Sequence, residues 1–169
     1  MPEKRTIERA RKDKRAGKSA STQAGEFVRE EMEHIREGKH GARSTKQAIA
    51  IGLSKARRAG VGLKPPAKGK ASERTRKSAA RAYARGQGAP AKSTPSAKRS
   101  RATEQALKRE SHAAASPRAL SRQAKSAARK RTSTERSAAA RQASRTKGPA
   151  ERSAAAQKGA RTRGMHAHA

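Results

Sequence analysis

Several places along the chain bring together side chains that could do chemistry. His34 and His40 lie close in sequence to Glu30 and Glu37, the residue types that hold divalent cations. Their spacing follows no zinc-binding pattern, and no metal is expected there; His166 and His168 in the terminal "MHAHA" would hold one only loosely. Arg43 and Lys46 flank the start of a predicted helix, where free backbone N–H groups attract phosphate. Ser44 and Gln47 compete for the same N–H groups as a capping box. Lys55, Arg57 and Arg58 collect at the far end of that helix, where cations complement the helix dipole. Further basic groups are Lys98, Arg99 and Arg101 and the run Arg129, Lys130 and Arg131. Nothing resembles a glycine-rich phosphate loop, a nucleophile elbow or a carboxylate pair in a cleft. No catalytic residue, cofactor or small-molecule substrate is expected, and the chain reads as non-enzymatic.

What remains is positive charge. The formal net charge is +31, from 44 Lys/Arg against 13 Asp/Glu. Residues 1–63 hold 16 basic and 8 acidic residues, whereas residues 64–169 hold 28 and 5. A polycation of this kind gains free energy by displacing condensed counterions from nucleic acid. With one Phe, one Tyr and no Trp, it has little with which to stack unpaired bases. Duplex DNA is therefore favoured over RNA as the partner, read through its backbone with little base specificity.

The elements that would position these groups are few. Cysteine is absent, so neither disulfides nor thiolate zinc can staple a small fold. Hydrophobic residues make up 31% of the chain and many are alanine, which predicts a mostly disordered protein with an all-α element. Residues 1–21 read as a basic N-terminal arm, 22–60 as a helical hairpin, and 61–169 as a low-complexity basic tail. The first hairpin helix spans about 22–37, with Ala24, Val28, Met32 and Ile35 along one face and Phe27 beside them.

The second helix spans about 44–59. Its alternative reading, a strand through Ile49, Ile51 and Leu53, has no second strand to pair with. Ala48, Gly52 and Ala56 form a row of small residues that admits a close neighbour. Ile51 lies about 160° around the helix from Leu53, so one partner helix cannot cover both. Ile49, Ile51, Gly52, Leu53 and Ala56 are thus candidates for a partner or homodimer interface, or for docking of a tail helix. In the tail, "ERSAAA" and "KSAAR" each occur twice between prolines. Those blocks are expected to become helical once phosphates neutralise them. There is no secretory signal and no apolar run of membrane-spanning length, which predicts a soluble cytoplasmic protein with no membrane partner.

The stretch Arg43, Ser44, Lys46, Gln47, Ala48, Ile49, Ala50, Ile51, Gly52, Leu53, Ser54, Ala56 and Arg57 resembles the core of an uncharacterised family of small basic bacterial proteins, a domain of unknown function. The resemblance implies a bacterial origin and transfers no activity. The tail is similar in composition to bacterial linker-histone-like proteins, and Thr94-Pro95 and Ser116-Pro117 resemble groove-lying turns of linker-histone tails. The expectation is a nucleoid-associated protein that binds duplex DNA without sequence preference. Two alternatives stand beside it: a protein-interaction module using the hairpin's apolar surface, and an RNA- or ribosome-associated basic protein.

Overall fold

The computed structural model describes residues 2–90, 96–146 and 148–167. Among these the architecture is all helical: α1 (Lys4–Arg15), α2 (Ala20–Arg36), α3 (Thr45–Arg58), α4 (Glu73–Gly86), α5 (Ala97–Lys108), a 3-10 turn (His112–Ala115), α6 (Pro117–Arg129), α7 (Ser133–Thr146) and α8 (Pro149–Ala167). This overturns the expectation of a mostly disordered chain, because the region beyond the Pro65-Pro66 junction is itself built of helices. The expected conversion of coil to helix on phosphate binding is withdrawn with it.

The helices begin where short hydroxyl side chains satisfy the first free N–H groups. Ser19, Ser44, Ser72, Ser96 and Ser116 accept from the N–H of Thr22, Gln47, Thr75, Arg99 and Ala119 at 3.2–3.3 Å. At α7 the box is reciprocal: Glu135 N–H donates to Thr132 Oγ1 at 3.1 Å, and Thr132 N–H donates to Glu135 Oε2 at 3.0 Å. Ser116-Pro117 is such a cap, with proline in the first helical position, where its missing N–H costs nothing. Thr94-Pro95 lies outside the described residues.

The chain divides into two compact units, residues 1–123 and 124–169. In the first, α2 is central and packs against α1, α3 and the 3-10 turn, while α4 packs on α3. The N-terminal segment is part of this bundle: Glu3 N–H donates to Glu30 Oε2 at 3.3 Å, and Arg9 pairs with Glu26 at 3.0 Å. The middle of the chain is stapled in as well. Gly41 and Ala42 N–H donate to the carbonyls of Leu107 and Ser111, Thr45 Oγ1 to that of Ala114, and Arg36 Nε to that of Ala115, at 2.7–3.1 Å.

Two small apolar clusters hold the unit. One gathers Met32, Ile35, Ala42, Ala48, Ala114 and Ala115, and the other Ala10, Ala24, Phe27, Ala56 and Val61. Large side chains are scarce, so the helices come close instead. A Cβ on Gly52 would lie 2.7 Å from the Val28 Cα, which means that α3 meets α2 backbone to backbone. Close-packed backbone and alanine contacts supply dispersion that a count of large apolar residues overlooks. Phe27 and Ile35, both essentially buried, each add about 1.5–3 kcal/mol from apolar burial.

In the second unit no described side chain of α7 or α8 is buried. The expectation that residues 61–169 build no core fails in the first unit, where Val61, Ala114 and Ala115 join the two clusters and Ala79 is buried. The expectation that the tail is coil fails as well, since its described residues build helices. Among the described residues no helix is long and apolar enough to cross a membrane.

Candidate nucleic-acid interface

A helix presents a row of charge to a polyanion when basic residues recur every three or four positions. α4 carries Arg74, Lys77, Arg81 and Arg85 in that register, all exposed. The opposite side is the packing face, where Ala79 is buried and Ala82, Tyr83 and Gly86 are half-buried. Gly86 abuts the Arg57 carbonyl so tightly that a Cβ there would overlap it. Tyr83, the one aromatic the sequence leaves for base stacking, therefore sits on the packing side of its helix.

α6 repeats the pattern with Arg118, Arg122, Lys125 and Arg129, again all exposed. The two helices share the octapeptide register R-x-x-K-S-A-A-R, at Arg74–Arg81 and Arg122–Arg129. Each row spans twelve residues, about 16 Å of helix from first to last. Acids subtract little from it. In α4, Glu73 is taken by Arg76 through two hydrogen bonds of 2.9 Å and reaches Lys77 only at 3.9 Å. The Arg76 guanidinium holds the Glu73 carboxyl below its ordinary range. α6 contains no acidic residue.

The basic residues singled out from sequence divide into two groups. Arg43 and Lys46 are exposed at the start of α3, where Gln47 Oε1 accepts from Arg43 N–H at 3.3 Å and Ser44 caps the helix. Lys98, Arg99, Arg101, Arg129, Lys130 and Arg131 are exposed, as is Arg58, whose Nε donates to the Ser54 carbonyl at 3.1 Å. Two residues are spent inside the fold instead. Arg57 is 7% exposed and donates from Nε to the Leu63 carbonyl at 3.0 Å, tying the connection after α3 to that helix. Burial pushes its pKa down from the usual arginine range. Lys55 is drawn inward, its Nζ 2.6 Å from Glu31 Oε2 and 3.9 Å from Glu30 Oε1. Neither is placed to meet a phosphate.

The candidate interface residues divide in the same way. Gly52 and Ala56 are buried within the chain, Gly52 against α2. Ile49 and Leu53 are half-buried, each packed against one of the apolar clusters. Only Ile51 is half-buried and belongs to neither cluster.

Sequence reasoning passed over Arg74, Arg81, Arg85, Arg118, Arg122 and Lys125. Their signal was present in the "KSAAR" repeat, whose basic residues recur with helical spacing. Comparison of the chain with protein-family models, curated proteins and solved structures finds no match.

Proposed function

We propose that this protein binds duplex DNA through its phosphate backbone, without sequence preference, as a nucleoid-associated architectural protein. The single observation that carries the reading is the exposed row of Arg74, Lys77, Arg81 and Arg85 on α4, on the side away from its packing face. α6 offers a second row in the same register. Guanidinium groups spaced along a rigid helix meet phosphates with little further ordering, and each contact releases counterions. Backbone contacts position a protein on a duplex without reading bases, consistent with the absence of stacking aromatics on these rows.

The test is a gel-shift salt titration. If both rows engage, about eight phosphates are neutralised, and log affinity falls against log salt with a slope of roughly −7. Replacing Arg74, Arg81 and Arg85 with alanine reduces that slope by about 3 while α4 stays helical. A slope near zero, or one unchanged by the triple variant, overturns the reading. Competition at fixed salt separates the partners: preferential displacement by RNA would assign the rows to RNA instead.

A further inference from the structure

Glu31 is fully buried on α2, and neither of its carboxylate oxygens makes a hydrogen bond. Lys55 Nζ stands 2.6 Å from Oε2 as an ion pair outside hydrogen-bond geometry, and His40 Nε2 lies 3.4 Å from Oε1. Glu30, the next residue, is 1% exposed, and its Oε1 also has no hydrogen bond. Two buried carboxylates thus share one nearby ammonium. Burying an uncompensated charge is costly, so the arrangement asks for one more cation.

One histidine faces that carboxylate, and a second lies beside it. His40 Nδ1 lies 3.1 Å from the Gly41 carbonyl, which can only accept, so Nδ1 carries the proton. In the neutral ring the lone pair then sits on Nε2, facing Glu31 Oε1. Two acceptors at that distance are reconciled by a cation between them, either a proton on Nε2 or a metal ion. His34 Nε2 lies 3.0 Å from Glu3 Oε1. The carboxylate accepts from Nε2–H, which leaves the His34 lone pair on Nδ1. A carboxylate or carbonyl fixing one ring nitrogen is the usual support of a metal-binding histidine.

The local fold explains how the three meet. Glu31 and His34 are three residues apart on α2 and share a face. Gly38, at φ +76°, then turns the chain, with Lys39 N–H donating to the His34 carbonyl at 3.0 Å, and this returns His40 toward the helix. Glu31, His34 and His40 each bring a donor atom to within 4.8 Å of the others.

We infer that Glu31, His34 and His40 form a binding site for a divalent transition-metal cation. One carboxylate and two imidazoles are a donor set for zinc, cobalt or nickel rather than calcium or magnesium. Ligands around a tetrahedral zinc lie about 3.4 Å apart, so the side chains close by roughly 1.4 Å on binding. Lys55 then serves Glu30, which it already approaches at 3.9 Å. The sequence pointed to Glu30 and Glu37 as carboxylate neighbours; helix geometry selects Glu31.

The experiment is a calorimetric titration of the full chain with cobalt and zinc chlorides, with His166 and His168 replaced by alanine to silence the C-terminus. One saturable site is expected, with a visible ligand-field band for bound cobalt. Glu31→Gln and His40→Ala should each weaken binding at least about a hundredfold, while His112→Ala leaves it unchanged. Circular dichroism checks that each variant keeps its helices, and if Glu31→Gln does not fold, His34→Ala takes its place. Absence of saturable binding in the parent chain, or affinity that survives His40→Ala, overturns the site.

Discussion

One octapeptide pattern occurs in two settings. In α4, Ala79 lies within R-x-x-K-S-A-A-R and is 5% exposed. Its counterpart in α6, Ala127, is exposed. What differs is the continuation: α4 runs on through Ala82, Tyr83 and Gly86, a face that fits α3, whereas α6 ends at Arg129 and gives way to Lys130 and Arg131. The contrast holds between the units. Residues 1–123 carry 32 basic and 11 acidic residues around two apolar clusters; residues 124–169 carry 12 and 2, and neither cluster draws on the described ones among them. Local sequence decides that a segment is helical, and a few small or apolar residues at the right phase decide whether it is buried.

The contrast breaks most readily at Phe27. Phe27→Ala should cost the first unit about 3–5 kcal/mol in urea unfolding, because a fully buried ring leaves a cavity. Backbone Cα chemical shifts of α7 should stay helical in the same sample. If α7 melts together with the bundle, the two regions are not energetically separate.

Glycine sharpens the comparison because the same substitution should change sign between units. Gly52→Ala places a methyl 2.7 Å from the Val28 Cα, where backbone must move, and should destabilise by about 1–3 kcal/mol. Gly159→Ala in α8 meets only the tip of the Arg163 side chain, at 3.7 Å, and should favour the helix by up to about 1 kcal/mol. Thermal melts of the first unit and Cα shifts of α8 read the two effects.

These residues also show what the sequence made legible. The row of Ala48, Gly52 and Ala56 was readable as a close-approach surface, and it is one; its partner is α2 of the same chain. Ser44 and Gln47 were readable as a cap. The remaining caps were present in the text of the tail, at Ser72, Ser96, Ser116 and the Thr132–Glu135 box, but there the weight fell on missing large apolar residues. That criterion counts side-chain area, whereas this bundle draws on alanine contacts, backbone proximity and long-range bonds such as Thr45 to Ala114. No local pattern announces such a bond. The inward turn of Lys55 and Arg57 was hidden for the same reason, since their partners lie on another helix or past the helix end.

The cap at α7 tests whether a helix without packing depends on its first turn. Thr132→Ala removes the acceptor for Glu135 N–H and should cost about 1 kcal/mol, visible as a loss of helical Cα shifts across residues 133–146. Ser44→Ala in α3 loses the same kind of bond, but packing on α2 should hold its shifts nearly unchanged. Equal losses in both helices would mean that packing does not protect α3.

The smallest effect separates α4 from α6 by charge. Glu73 in α4 has Ser121 as its counterpart in α6, so only one of the two rows has an acid at its head. Arg76 lowers the Glu73 pKa from its ordinary 4.5, which means that the folded helix favours the carboxylate. That contribution is complete above 4.5 and disappears as pH falls through the lowered value, when protonation breaks the Arg76 bonds. The pair is exposed, so the loss is slight and shrinks further with salt. On acidification the Cα shifts of α4 should drift toward coil at its first turn while those of α6 stay constant, and Glu73→Gln should abolish the drift. Acidification also strips Arg76 and Lys77 of their acidic neighbour, so DNA affinity should rise slightly in the same window. A fall there would place Glu73 among the groups that hold the row in shape rather than those that subtract from its charge.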